Sequence, residues 1–169
     1  MTALGQAQEG VHLITQGLSM ARATGAIIAT PWMLTGLAAA YAGLGRLGEG
    51  LNCLAEAAQV IEATDERRDE AELHRLRGEL LNATADQSAA EQSYNQALVV
   101  GQRQSAKLFE LRAATSLARL WRDQGKRTEA CDLLASIYGW FTEGFDTPVL
   151  QDAKALLDLL GGRNSCVGN

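Results

Sequence analysis

The sequence predicts an all-α solenoid of antiparallel helix pairs wound into a right-handed superhelix, and three observations carry that prediction. A small-and-large residue pattern recurs at a fixed offset of 40: Leu117-Ala118, Trp121, Ala130, Leu134 and Ile137 match Arg77-Gly78, Leu81, Ala90, Tyr94 and Ala97. They match again at Leu37-Ala38, Tyr41, Gly50, Leu54 and Ala57. A fixed period of this size marks stacked supersecondary units. Apolar residues recur at helical spacing along the chain, and no segment alternates as a half-buried strand would. Capping and turn residues punctuate the periodic segments.

Taken in order, the first helical pattern runs from about Gln6 to Ala23, with Leu4, Val11, Ile14, Leu18 and Ala21 favouring one face. Gly10, Ile14 and Gly17 fall at second-helix positions, so residues 1–25 read as a partial repeat and the chain is expected to begin inside one. Thr30-Pro31 reads as an N-cap followed by proline at the first helical position, opening a helix to about Gly43. Gly45 and Gly48 turn the chain into a helix from about Gly48 to Ala63.

Thr64-Asp65 supply capping oxygens for a helix carrying Leu73, Leu76, Leu80 and Leu81. The mixed charge run from Asp65 to Glu70 reads as the solvated start of that helix. Ser88 and Glu91 have capping-box spacing ahead of a helix reaching about Gln102. Helices follow from about Ala106 to Asp123 and from Thr128 to about Trp140. A second Thr-Pro signal at Thr147-Pro148 opens a last helix that ends at Gly161-Gly162. The expected organisation is one domain over 1–162, with full repeats at 30–64, 65–104 and 105–143, a capping helix at 147–162, and a disordered tail at 163–169.

The paired spacing W-x2-L-G-x2-Y and A-x3-F is the tetratricopeptide signature. Here it stands as Leu34-x2-Leu37-Ala38-x2-Tyr41 with Gly50-x3-Leu54, His74-x2-Arg77-Gly78-x2-Leu81 with Ala90-x3-Tyr94, and Ala114-x2-Leu117-Ala118-x2-Trp121 with Ala130-x3-Leu134. Small residues let the two helices of a pair approach, and the large residues at 41, 81 and 121 are expected to fill the gap between them. The period of 40 exceeds the usual ~34 and overlaps the HEAT and armadillo range, but the small-residue spacing favours the tetratricopeptide reading.

Three stretches, ELHRLRGELL (Glu72 to Leu81), AEQSYNQAL (Ala90 to Leu98) and the long run from Lys107 to Leu157, resemble a known family. They are similar to the C-terminal tetratricopeptide region of large bacterial signalling proteins that carry a class III adenylate/guanylate cyclase domain and an AAA-type ATPase domain upstream. The resemblance implies a sensor or scaffold arm and not an enzyme, since nothing here matches the cyclase aspartates or the ATPase phosphate loop. The segment before Glu72 matches only as generic repeat.

Bulk properties narrow the function further. The chain has 169 residues, 47% of them hydrophobic and 21% charged, as one soluble domain would. A net charge of -5 argues against general nucleic-acid or anionic-membrane binding, which needs a basic surplus. No stretch approaches the roughly 20 apolar residues that cross a bilayer. Cys53, Cys131 and Cys166 form no CxxC or Cys/His cluster and do not look like a disulfide framework, so a reducing cytoplasm is expected.

Gly43-x-Gly45-x-x-Gly48 spells a dinucleotide fingerprint, but it follows a helix where the motif requires a strand. His12 and His74 have no ligand-spaced partner, and His74 reads as a helix-packing residue. No cofactor, metal or catalytic residue is assigned.

One constellation points to binding. First helices of such repeats line the concave face, where the groove positions are Trp32, Thr35, Ala39 and Ala42; Glu72, Arg75, Glu79 and Asn82; and Arg112, Thr115, Arg119 and Arg122. The last set presents three arginines, whose planar forks suit carboxylates, so the expected partner is a protein or peptide with acidic groups or a free C-terminus. Salt bridges to neighbouring glutamates are the plainer reading of the same residues. Self-association is a further expectation, because Val11, Ile14 and Leu18 would be only half covered by a truncated first repeat.

Overall fold

Eight α-helices make up the described residues, 3–161, of a computed structural model. They are α1 (Ala3–Thr24), α2 (Thr30–Gly43), α3 (Leu47–Thr64), α4 (Glu70–Ala83), α5 (Gln87–Arg103), α6 (Lys107–Asp123), α7 (Arg127–Tyr138) and α8 (Pro148–Gly161). The tail expected at 163–169 lies outside the described residues.

Each helix packs on the next, and the even helices also meet one another in the succession α2, α4, α6, α8. The odd helices α3, α5 and α7 make no such lateral contacts. An inner layer of touching even helices and an outer layer of separated odd helices gives the stack a concave face on the even side.

The helix ends follow a rule that the sequence reading did not find. Residues with left-handed backbone occur at Gly25 (φ 71°), Gly45 (71°), Asp65 (56°), Ala85 (65°), Ser105 (53°) and Gly125 (83°), one every half period, and again at Gly144 (76°), one residue short of that register. Glycine is unstrained there, whereas alanine or serine brings Cβ against its own carbonyl. The glycine signal is thus missing from half of the turns in register.

Several caps differ from expectation. Thr30 lies inside α2 and Ala29 sits at the cap without a side-chain bond. Thr64 and Asp65 finish α3 and do not start α4, which begins only at Glu70. The charge run is therefore a connection, in which Arg67 holds Asp65 at 2.6 Å and Glu62 and Glu70 at 3.2 Å. Glu70 is buried and also accepts from Arg103 at 2.7 Å. Asp86, and not Ser88, caps α5 by accepting from the Ala89 N–H at 3.1 Å. The freed Glu91 accepts instead from Trp121 Nε1 at 2.8 Å. Helix α7 stops at Tyr138, two residues before Trp140.

The small positions act as expected. A Cβ added at Gly78 would lie 2.5 Å from the Tyr94 ring, and one at Gly50 would lie 3.2 Å from the Ala38 carbonyl. At the equivalent sites Ala38 and Ala118 are fully buried, and the positions that match Tyr94 in the 40-residue register are Leu54 and Leu134, also buried. The gap-filling positions are less enclosed than expected: Tyr41, Leu81 and Trp121 are only half-buried, while Leu54, Tyr94 and Leu134 are buried.

The buried residues form two clusters. One runs from Leu18 to Leu80 across the first four helices, and the other from Ala90 to Leu160 across the last four. Each fully buried leucine contributes about 1.5–3 kcal/mol to holding its pair against the next. Leu18 is among them at 3% exposure, which corrects the expectation that it is half covered; among the described residues of α1, the large apolar side chains that are exposed are Leu13 and Met20.

Candidate partner-binding groove

The even helices bring the groove positions into two adjoining cavities. One, of about 370 Å3, is lined by Arg75, Arg112, Thr115, Ser116, Arg119, Pro148, Val149 and Asp152. The other, of about 270 Å3, is lined by Trp32, Thr35, Gly36, Ala39, Asp69, Glu72, Leu76, Phe109 and Arg112. Arg112 is common to both, so the two form one trough with an aromatic end at Trp32 and a cationic end at Arg119.

Apart from Asp69, whose partner at 3.6 Å is Arg68 outside the trough, the charged groups of the trough are paired within it. Glu72 accepts from Arg75 Nε at 2.9 Å and from Arg75 Nη2 at 2.8 Å, and forms an ion pair with Arg112 Nη2 at 2.8 Å. Arg75 also donates to Glu79, which accepts a further bond from Ser116 Oγ at 3.2 Å. Arg119 pairs with Asp152 of α8. Arg75 is only 8% exposed. Burial alone would lower its guanidinium, but hydrogen bonding and attraction to Glu72 and then Glu79 outweigh this and hold it above the ordinary arginine value.

Not every expected groove residue contributes. Thr35 and Thr115 are buried, and their hydroxyls donate to the carbonyls of Pro31 and Leu111 in their own helices at 2.8 Å. Both are walls rather than donors. Arg122 pairs with Asp123 at 2.8 Å and lies outside both cavities, as does the exposed Asn82. The three-arginine cluster is thus Arg75, Arg112 and Arg119, drawn from two helices. Trp32 is 63% exposed at the other end.

Two contributors outside the expected positions matter most to the charge and shape of the trough. They are Asp152, on a helix that reads as a cap, and Phe109, in the first turn of α6; Gly36, Asp69, Leu76, Ser116, Pro148 and Val149 also line the cavities outside the expected positions, yet the signal for Asp152 is present in the sequence. Continuing the 40-residue register through the last helix puts Trp32, Glu72, Arg112 and Asp152 in one column. Helix α8 is therefore the fourth member of the inner layer.

Arg127 also differs from a free surface residue. Its Nη2 donates to the Leu159 carbonyl and lies 3.5 Å from that of Leu160, so it caps the C-terminus of α8. His74 is half-buried beside Arg77 and Leu81, and burial holds its imidazole below the usual histidine value. Cys53 is a free thiol pushed up by burial. Cys131 is disulfide-bonded, which corrects the expectation that the cysteines do not serve as a disulfide framework. No helix among the described residues is long and apolar enough to cross a membrane.

Comparison with known proteins agrees with this architecture. Residues 29–99 match the tetratricopeptide repeat family. Two crystal structures of the nearly identical TPR-like repeats of a candidate kinesin light chain from Podosopora anserina are similar over 95% of this chain. The first, a point variant, has TM-score 0.68 and 20% identity with 79% of its own chain covered. The second has TM-score 0.66 and 20% identity with 80% covered. No curated protein matches the sequence. The chain thus has an all-α, tetratricopeptide-like fold, with the repeat family's sequence pattern recognised over residues 29–99.

Proposed function

We propose that this chain is a non-enzymatic protein-interaction module whose concave trough receives an extended partner segment bearing carboxylates. The observation that carries this reading is the pair of cavities that share Arg112, one with Trp32 in its lining and the other with Arg75, Arg112 and Arg119. Aromatic and arginine side chains are the residues that most often anchor partners. The resemblance of the Lys107–Leu157 stretch supports a setting in the C-terminal arm of a cytoplasmic bacterial signalling protein with cyclase and ATPase domains. An open reading frame joining this sequence to such domains would test that setting.

The groove reading is tested with a labelled dodecapeptide of alternating glutamate and leucine ending in a free carboxylate. Its affinity should fall as salt rises, because exposed charges are screened over about 8–10 Å at physiological ionic strength. Arg112→Lys should weaken binding, since lysine keeps the charge but loses the planar fork. Arg77→Ala, an exposed arginine outside the trough, should leave it unchanged. Equal losses for the two substitutions would remove the groove from consideration.

A second reading, self-association, is favoured by the exposed Leu13, Met20, Ile27, Ile28 and Trp32 on and beside α1. Sedimentation equilibrium that shows only monomer at high concentration would eliminate it.

A further inference from the structure

We propose that Asp152 is a built-in occupant of the groove: its carboxylate holds Arg119 where the acidic group of a partner docks, and partner entry requires Asp152 to let go. The proposal rests on the groove reading above and adds its regulation.

Arg75, Arg112 and Arg119 face one cavity of about 370 Å3. Glu72, Glu79 and Asp152 neutralise them, so the six groups together carry no net charge. An incoming carboxylate gains a full ionic partner only where one of these three gives way. Their holds are unequal. The Glu72 side chain is 13% exposed, accepts from Arg75 with both oxygens and is also ion-paired with Arg112. Pulling it out would strand buried charge, which is costly. The Glu79 side chain is 42% exposed, but its oxygen accepts from two donors, Ser116 and the 9% exposed Arg75 side chain, so its release would strip a partner from a buried charge.

Asp152 is different. Its side chain is 52% exposed, its partner Arg119 is 41% exposed, and the pair bridges two helices, α8 and α6. Exposed pairs of this kind contribute little and are weakened by salt. Pro148 and Val149 of α8 line the same cavity, so α8 supplies both a wall and the competing charge. The arrangement sets a threshold: a neutral segment has nothing to offer Arg119, while an acidic segment must outbid Asp152.

The experiment compares binding of the glutamate–leucine dodecapeptide to the wild-type chain and to Asp152→Asn, Asp158→Asn, Arg119→Ala and the Asp152→Asn/Arg119→Ala double variant. Asp158 is the control, because it lies on the same helix, carries the same charge and pairs with Lys154 outside the cavity. Asp152→Asn should tighten binding about two- to fivefold, the range set by removing one exposed ion pair. Asp158→Asn should leave affinity unchanged, and the gain should vanish in the double variant. Thermal midpoints of Asp152→Asn and the wild type should agree, which separates altered binding from altered folding.

Equal tightening by Asp152→Asn and Asp158→Asn would overturn the proposal and reduce it to net charge. It would also fall if the wild type binds through Arg112 and Arg119 but Asp152→Asn changes nothing, an outcome that leaves the groove reading standing. No binding by any of the chains would overturn the groove reading and this proposal together.

Discussion

At the scale of single residues, the helix-to-helix approach is decided by matched pairs. Gly78 faces the Tyr94 ring at a distance where a Cβ has no room, whereas the equivalent pairs use alanine with leucine. Gly78→Ala should therefore cost about 1–3 kcal/mol by overpacking, despite the better helix propensity of alanine. Adding Tyr94→Leu in the same chain should restore part of that loss, so a double-mutant cycle by urea denaturation should show positive coupling.

Tyr94 also sets a pH dependence. Burial, and then the nearby Glu79 carboxylate, push its phenol well above the ordinary tyrosine value. The unfolded chain releases this proton above about pH 10 while the folded chain retains it, so stability is full below that pH and declines above it. Tyr94→Phe should flatten this decline in an alkaline denaturation series. A third residue, Ala85, holds φ 65° where other turns of the chain use glycine. Ala85→Gly should raise the denaturation free energy by about 1 kcal/mol, through release of left-handed strain.

Among the elements, α8 shows the largest gap between appearance and role. Its buried face, Leu150, Ala153, Leu156, Leu157 and Leu160, packs on α6 and α7, and Arg127 from the start of α7 caps its far end. Arg127→Ala should lower stability by about 0.3–1 kcal/mol, the usual value of a cation at a helix C-terminus, while leaving peptide affinity in the groove unchanged. Chemical denaturation and fluorescence titration of one preparation check both halves of that statement.

The order and number of helices were legible because the buried stripe repeats at helical spacing, as in Leu73, Leu76 and Leu80. Caps were less legible, since Asp86 and Ser88 are both competent acceptors and only the backbone geometry chooses between them. The groove was partly legible. The 40-residue column placed Trp32, Glu72 and Arg112 on it, but which charges are already satisfied depends on long side chains reaching between helices, as from Arg119 to Asp152. Sequence spacing within one helix carries no information about that reach. Arg122 shows the same limit in reverse, because its neighbour Asp123 captures it.

For the molecule as a whole, the two separate core clusters imply unequal resistance to opening. Helix α1 packs on α2, is tied to α3 by the exposed Arg22–Glu56 pair and contributes, among the described residues, one buried apolar side chain, Leu18, whereas α6 is packed by α4, α5, α7 and α8. Native-state hydrogen exchange should therefore release the α1 amides first and those of α6 last, with α2 and α3 between them. Simultaneous exchange of all eight helices would show a single cooperative unit instead.

The unequal layers have a mechanical consequence. The even helices touch along the inner edge while the odd helices stand apart, so the stack is a leaf spring with its neutral line near the groove. Straightening it draws the outer helices together without breaking contacts among them, and further coiling fans them out. A thick partner and a thin one would then be accommodated by different end-to-end distances of the same strip. Because the Arg119–Asp152 link crosses two adjacent leaves of the inner edge, its rupture would soften the bend at one place only, between α6 and α8.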